Sequence, residues 1–119
     1  RLGSARSGMP PKARLAACMR VEFTAKAAAQ YRLAFDRIAD ANRFASQRFA
    51  ARLGERLRQI GRFPQSGHFV AEFATLPVRQ FIVEPYRFFY EIDERSKVVR
   101  IVSVWHGAQL PAQPDLHAP

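Results

Sequence analysis

The segment from Leu76 to Gly107 constrains the fold most strongly, because its pattern predicts three consecutive β-strands. Two of them, Arg79 to Glu84 and Tyr86 to Ile92, are rich in Phe, Tyr, Val and Ile. Pro85 separates them, since proline cannot donate to a β-ladder. After a polar turn, the stretch from Val98 to Trp105 is apolar at both alternating sets of positions, as a central strand requires. These strands predict a meander.

Strict alternation along the third strand would divide its side chains between the two faces of the sheet. One set is Val98, Val102 and Val104, and the other is Val99, Ile101 and Trp105. The same rule places Arg87 on the face opposite Phe88, Tyr90 and Ile92.

Two amphipathic helices are predicted before the meander. Apolar residues recur at helical spacing from about Ala25 to Asp40 and from about Arg43 to Ile60, where Gly61 is a suitable stop. A first strand is predicted from Met19 to Thr24, and an irregular linker from Gln65 to Thr75. The expected fold is α+β in the order β-αα-βββ, with a helical hairpin packed on one mainly antiparallel sheet.

The chain of 119 residues fits one domain between two tails. We expect residues 1–18 to be a disordered or non-native extension, residues 19–110 to be the domain, and residues 111–119 to be a proline-rich tail. The single Cys18 cannot form an internal disulfide, and no Cys/His cluster has metal spacing. No apolar run has the length of a membrane span. The expectation is a cytoplasmic protein without metal, cofactor or membrane attachment.

The formal net charge of +9 favours polyanions or an acidic protein as partners. A row of arginines on the second predicted helix concentrates this charge: Arg48, Arg52 and Arg56, four residues apart, followed by Arg58 and Arg62. Such a row can bind phosphates or an acidic partner segment. The alternative is an ordinary solvated helix face.

His106 ends the last predicted strand, and its type of side chain can transfer protons near neutral pH. Arg87 and Arg79 could hold a phosphate near it. Cleavage of RNA by its 2′-hydroxyl needs a base, an acid and a cation. The chain offers one clear proton carrier and several cations, which is an incomplete set; Tyr86 and Tyr90 could assist, although packing roles suit both better.

Several motifs together resemble one known family. They are the Pro64…Gly67 loop, Leu76-Pro77-Val78-Arg79, Tyr86-Arg87-Phe88-Phe89-Tyr90 and Val104-Trp105-His106-Gly107-Ala108. With the β-αα-βββ order, they resemble the RelE/ParE superfamily of bacterial toxins over roughly Met19 to Leu110. The resemblance implies a type II toxin that a cognate antitoxin neutralises by wrapping a segment around it, in a hetero-oligomer.

The resemblance leaves two targets open. RelE-like members cleave mRNA in the ribosomal A site, and ParE-like members inhibit DNA gyrase. Arg87 matches the arginine that follows tyrosine in the RelE-like strand, and some ribonuclease members use a histidine at the position of His106. Catalytic members usually carry further basic or aromatic residues after the last strand, where this chain has Gly107-Ala108-Gln109-Leu110-Pro111.

That difference, with the long helical hairpin, favours a ParE-like inhibitor that acts by binding gyrase. The alternative is a ribosome-dependent endoribonuclease that uses Arg87, His106 and Arg79. A third class, a basic nucleic-acid-binding domain without toxicity, is disfavoured because the sequence shows no helix-turn-helix spacing, zinc motif or aromatic signature of the common single-strand modules.

Overall fold

In the computed structural model, which describes residues 18–73 and 75–107, a helical hairpin packs on a five-stranded sheet. The elements are β1 (Arg20–Phe23), α1 (Ala25–Ala41), α2 (Arg43–Arg62), β2 (His68–Phe69), β3 (Arg79–Val83), β4 (Tyr86–Asp93) and β5 (Val98–His106). The strand order is β1-β5-β4-β3-β2, with β1 parallel to β5 and the other pairs antiparallel. The predicted α+β fold is confirmed, and β2 is an additional short strand.

The N-terminal extension and the C-terminal tail that the sequence predicts lie outside the described residues, except for Cys18. Within those residues, no helix is long and apolar enough to cross a membrane.

Local side-chain chemistry explains where the helices begin. The Thr24 hydroxyl accepts a hydrogen bond from Ala27 N at 3.1 Å, and the Asn42 side chain accepts one from Ala45 N at 3.1 Å. The expected stop at Gly61 was wrong, because α2 continues to Arg62. Gly61 is needed for another reason, because a Cβ there would lie 2.9 Å from the carbonyl oxygen of Met19. The Met19 amide donates to the Gly61 carbonyl at 2.8 Å, which holds the two backbones at this close distance.

The face of the sheet below the helices carries the larger core, which contains a cluster of buried aromatic rings. Phe49 of α2 packs against Phe88 of β4 with ring centroids 6.3 Å apart, and Phe88 stacks on Phe81 at 5.0 Å. All three rings are buried. The apolar faces of both helices pack on the strands, as the sequence predicts.

The opposite face carries a second, smaller core that the sequence analysis did not predict. Its buried residues are Val70, Val78, Phe89 and Val102, with Phe73, Leu76 and Trp105 packed against them. The covering segment runs from Val70 to Val78 and is called the strap below; residue 74 lies outside the description. The strap occupies part of the region expected to be an irregular linker, and Ala71–Phe73 within it forms one turn of 3-10 helix.

A β-bulge in β5 changes which of its side chains face the helices. Phe89 lies opposite Ser103 and Tyr90 lies opposite Ile101, so Val102 has no partner residue on β4. Val99, Ile101 and Val104 consequently join the helix-side core, whereas Val102 and Trp105 join the strap-side core. The expectation of strict alternation was wrong for Val104 and Trp105. The amide of Val104 donates to the Gln30 side chain at 2.7 Å, which links α1 to the strand beside the bulge.

Candidate functional site

The sheet separates the two foremost catalytic candidates. Tyr86 is paired with His106 and Arg87 with Trp105, so neighbouring residues of β4 point to opposite faces. On the helix side, the rings of Tyr86 and His106 meet edge to face with centroids 5.2 Å apart. Arg87 lies on the strap side with Phe89 and Trp105. The structure therefore does not bring Arg87 and His106 together.

Arg87, on β4, binds the strap to the sheet through an ion pair with Glu72. Its two terminal nitrogens donate to the two carboxylate oxygens of Glu72 at 3.2 and 3.1 Å, and its Nε donates to the Gln80 side chain at 2.9 Å. The guanidinium also lies over the Phe89 ring, 5.1 Å from the centroid. Hydrogen bonds from Arg87 lower the pKa of Glu72 below its usual value, so the carboxylate is charged at neutral pH. The charge of Arg87 is thus compensated within the chain.

Arg79 fastens a different loop on the helix side. Its Nη1 donates to the carbonyls of Gly67 at 2.9 Å and Gln65 at 3.2 Å, and its guanidinium stacks on the Phe69 ring at 4.1 Å. The neighbouring Tyr90 acts on the same loop, since its hydroxyl accepts from Gly67 N at 2.9 Å and donates to the Pro64 carbonyl at 2.6 Å. Burial raises the pKa of Tyr90. Arg79 and Tyr90 both position backbone here.

This loop explains two of the motifs that the sequence analysis identified. Gly67 has no room for a side chain, because a Cβ would collide with the Tyr90 hydroxyl and lie 2.8 Å from the Gln80 carbonyl oxygen. The Pro64…Gly67 loop and the aromatic strand are therefore one structural unit.

The five predicted arginines of α2 fall into two sets. Arg52 donates to the Glu84 carbonyl at 3.0 Å, and Arg56 lies over the Phe81 ring at 5.2 Å and bonds to Gln59. These two arginines turn toward β3 and line a groove of about 320 Å³ beside the exposed Ile82.

The other set, Arg48, Arg58 and Arg62, is exposed. Within residues 18–73 and 75–107, these three side chains form no ion pair or side-chain hydrogen bond. They extend outward from α2, so the row predicted from the sequence is two surfaces rather than one.

Two exposed aromatic rings accompany the outward arginines and were missed from the sequence. Phe44, at the start of α2, is 70% exposed, and Phe63, which follows its last residue, is 58% exposed. The available signal was the position of Phe44, four residues before Arg48 and outside the apolar stripe of α2. A groove of about 480 Å³ lies beside Phe63, with Arg58 and Arg62 in its wall.

The described part of the chain contains no group of three or more His, Cys, Asp or Glu side chains able to hold a metal ion. The described site is thus a basic, partly aromatic surface on α2 and two arginines that hold loops.

Comparisons with known proteins agree with this architecture. The family model described as the ParE toxin of the type II toxin-antitoxin system parDE matches residues 21–111. Comparison with curated proteins gives no match. Among solved structures, the chain is similar to the toxin-antitoxin complex RelBE2 from Mycobacterium tuberculosis, with 20% sequence identity, a TM-score of 0.54, and coverage of 77% of this chain and 94% of that chain. At that identity, the likeness concerns the fold.

Proposed function

Because the chain belongs to the ParE toxin family of type II toxin-antitoxin systems, we propose that it inhibits growth by binding DNA gyrase and not by catalysis. A cognate antitoxin neutralises it in this proposal. The observation that carries it is the separation of Arg87 and His106 by the sheet, since tight target binding does not require these two side chains to meet.

The geometric requirements of RNA cleavage favour inhibition by target binding over cleavage of mRNA. A general base must lie within hydrogen-bond reach of the proton it removes, and a cation that stabilises the same phosphate must lie close by. Arg87 and His106 face opposite sides of the sheet, and the Glu72 carboxylate already pairs with Arg87. One phosphate does not reach both groups, because the sheet lies between the two side chains.

The antitoxin part of the proposal rests on charge and on likeness. The similar structure from Mycobacterium tuberculosis is described as a toxin-antitoxin complex. The net charge of +9 on this chain favours an acidic partner. The groove beside Arg52 and Arg56, with Ile82 at its rim, offers cationic and apolar groups to such a segment.

Two assays on the purified full chain test the target. We expect it to block supercoiling by DNA gyrase at concentrations that leave ribosome-bound mRNA intact. Cleavage of the mRNA with no effect on gyrase would overturn the proposal and assign the chain to the RelE-like branch. An effect in neither assay would refute both targets.

Substitutions then separate binding from catalysis. We expect His106→Ala to retain gyrase inhibition and growth arrest, because the proposed inhibition by binding requires no proton transfer from this side chain. Arg32→Ala, which removes an exposed cation from α1, serves as the matched surface control. If His106→Ala abolished toxicity while the variant kept its thermal unfolding midpoint, the binding proposal would fail.

A further inference from the structure

The outward face of α2 has a regular composition. Its residues are Phe44, Arg48, Ala51, Glu55, Arg58 and Arg62, at alternating spacings of four and three, and all of them are exposed. This spacing keeps side chains on one side of a helix. The buried residues of α2, such as Phe49, Leu53 and Ile60, lie on the other side. The outward face is therefore one continuous strip, which we call the α2 strip.

The α2 strip carries uncompensated positive charge. Helix α2 contains six arginines and a single acid, Glu55. Arg48, Arg58 and Arg62 form no ion pair with other described residues, and Arg52 and Arg56 are turned toward β3. Arginine presents a planar set of donors that matches phosphate oxygens and also stacks on planar rings. The oxygens of a phosphate polymer can accept hydrogen bonds from these donors along the whole strip.

The length of the α2 strip suits several phosphates. From Arg48 to Arg62 the helix rises about 21 Å at roughly 1.5 Å per residue. A stacked strand carries one phosphate about every 3.4 Å, so roughly six phosphates span that length. The three arginines therefore contact a strand of short oligonucleotide length.

The positions of the exposed Phe44 and Phe63 rings distinguish between two kinds of anionic partner, an acidic protein segment and a nucleic acid. An amphipathic helix from an acidic protein needs a continuous apolar seam. Between the two rings, the α2 strip offers only Ala51 as an apolar residue, and the rest is charged. Separate exposed rings flanked by arginines are instead the arrangement by which proteins stack unpaired bases.

We propose that the α2 strip, together with Phe63, is a binding site for single-stranded nucleic acid. Phosphates contact Arg48, Arg58 and Arg62, and bases stack on Phe44 and Phe63. The groove of about 480 Å³ beside Phe63 receives one base between the ring and the Arg62 side chain. This activity is independent of gyrase inhibition.

The charge half of the proposal is tested by the salt dependence of binding. Fluorescence anisotropy with labelled 12-nucleotide oligo(dT) and oligo(U) gives the association constant of the full chain at several salt concentrations. Each lost phosphate contact reduces the slope of log K against log salt by about 0.7 for a single strand. The triple variant Arg48→Ala/Arg58→Ala/Arg62→Ala is expected to reduce it by about 2.

The matched control removes three exposed arginines elsewhere, at Arg32, Arg37 and Arg95, which likewise form no ion pair with the described residues. We expect this control to change the slope by less than half as much. Equal effects of the two triple variants would overturn the site and leave only general attraction by net charge. Tighter binding of either oligonucleotide supports the proposal and assigns the polymer as DNA or RNA.

The stacking half is tested with an abasic oligonucleotide, which keeps the phosphates and lacks the bases. Phe44→Ala/Phe63→Ala should weaken binding of the normal oligonucleotides about tenfold or more, as loss of base stacking does, and leave abasic binding unchanged. Both rings are more than half exposed, so these changes spare the core. Glu55→Gln should strengthen binding, because it removes the one acid of α2.

Two further results would refute the proposal. One is equal affinity for single-stranded, duplex and abasic oligonucleotides, which would show attraction to any polyanion. The other is an arginine triple variant that binds oligonucleotides normally but no longer binds the purified antitoxin, which would assign the α2 strip to an acidic protein. The gyrase assay is run on the same variants. If the variants bind oligonucleotides weakly but inhibit gyrase normally, nucleic-acid binding and gyrase inhibition are separate activities of the chain.

Discussion

The two faces of the sheet are covered in different ways. The helix side buries a cluster of aromatic rings that includes Phe49 and Phe88, whereas the strap side buries Val70, Val78, Phe89 and Val102 and adds the ion pair between Arg87 and Glu72. Hydrophobic stabilisation grows with the apolar area removed from water, while a partly exposed ion pair contributes little. The helix side therefore carries the global stability, and the strap is the segment that opens at lower free energy.

The largest effect is expected from removing a ring on the helix side. Phe49 is 1% exposed and contacts the rings of Tyr31, Tyr86 and Phe88. Phe49→Ala should lower the free energy of unfolding by about 3 to 5 kcal/mol, measured by denaturant unfolding followed by circular dichroism. Phe44→Ala on the same helix, where the ring is 70% exposed, should change it by less than about 0.5 kcal/mol. Similar losses in both variants would refute the assignment of stability to this face.

A smaller and more local effect is expected on the strap side. Val78 is fully buried, and its carbonyl accepts a hydrogen bond from Val70 N at 3.4 Å. Val78→Ala removes two methyl groups and should cost about 2 kcal/mol. Hydrogen exchange should accelerate at the strap amides before those of β5. Ile82→Ala, at a side chain that is 53% exposed, is the control. Uniform acceleration across the sheet would show that the strap does not open separately.

The difference between the helix side and the strap side of the sheet also explains which parts of the fold the sequence predicted. Both helices follow from local periodicity, and the structure has them, with N-caps at Thr24 and Asn42. The strap was missed because its apolar residues, Val70 and Val78, follow no helical or strand period. Their role depends on packing against Phe89 and Val102, which are distant in the sequence. The bulge at Val102 was missed because it depends on the register between β4 and β5.

The candidate site also combines features that local sequence patterns predicted with features that they did not predict. Alternation along β4 placed Arg87 on the correct face, opposite Phe88 and Tyr90. Its pairing with Glu72, 15 residues away, depends on where the strap lies, and no local pattern contains that information. The position of His106 on the other face follows from the register of β5, which a one-residue bulge alters.

The smallest effect is expected from the ion pair that holds the strap. Hydrogen bonds from Arg87 lower the pKa of Glu72 in the folded protein below its usual 4.5, so the carboxylate stabilises the fold above that pH and loses its contribution as the pH falls through the lowered value. Glu72→Gln should therefore cost less than about 1 kcal/mol at pH 7, since the pair is partly exposed, and the difference from the unsubstituted chain should shrink at about pH 3. Glu94→Gln in the β4–β5 turn removes a carboxylate that forms no ion pair with the described residues, and it controls for net charge. Denaturant midpoints at both pH values measure the effect. A cost of Glu72→Gln that is the same at pH 7 and pH 3 would mean that burial of Val70 and Val78 alone closes the strap, and Arg87 would then be available to a ligand.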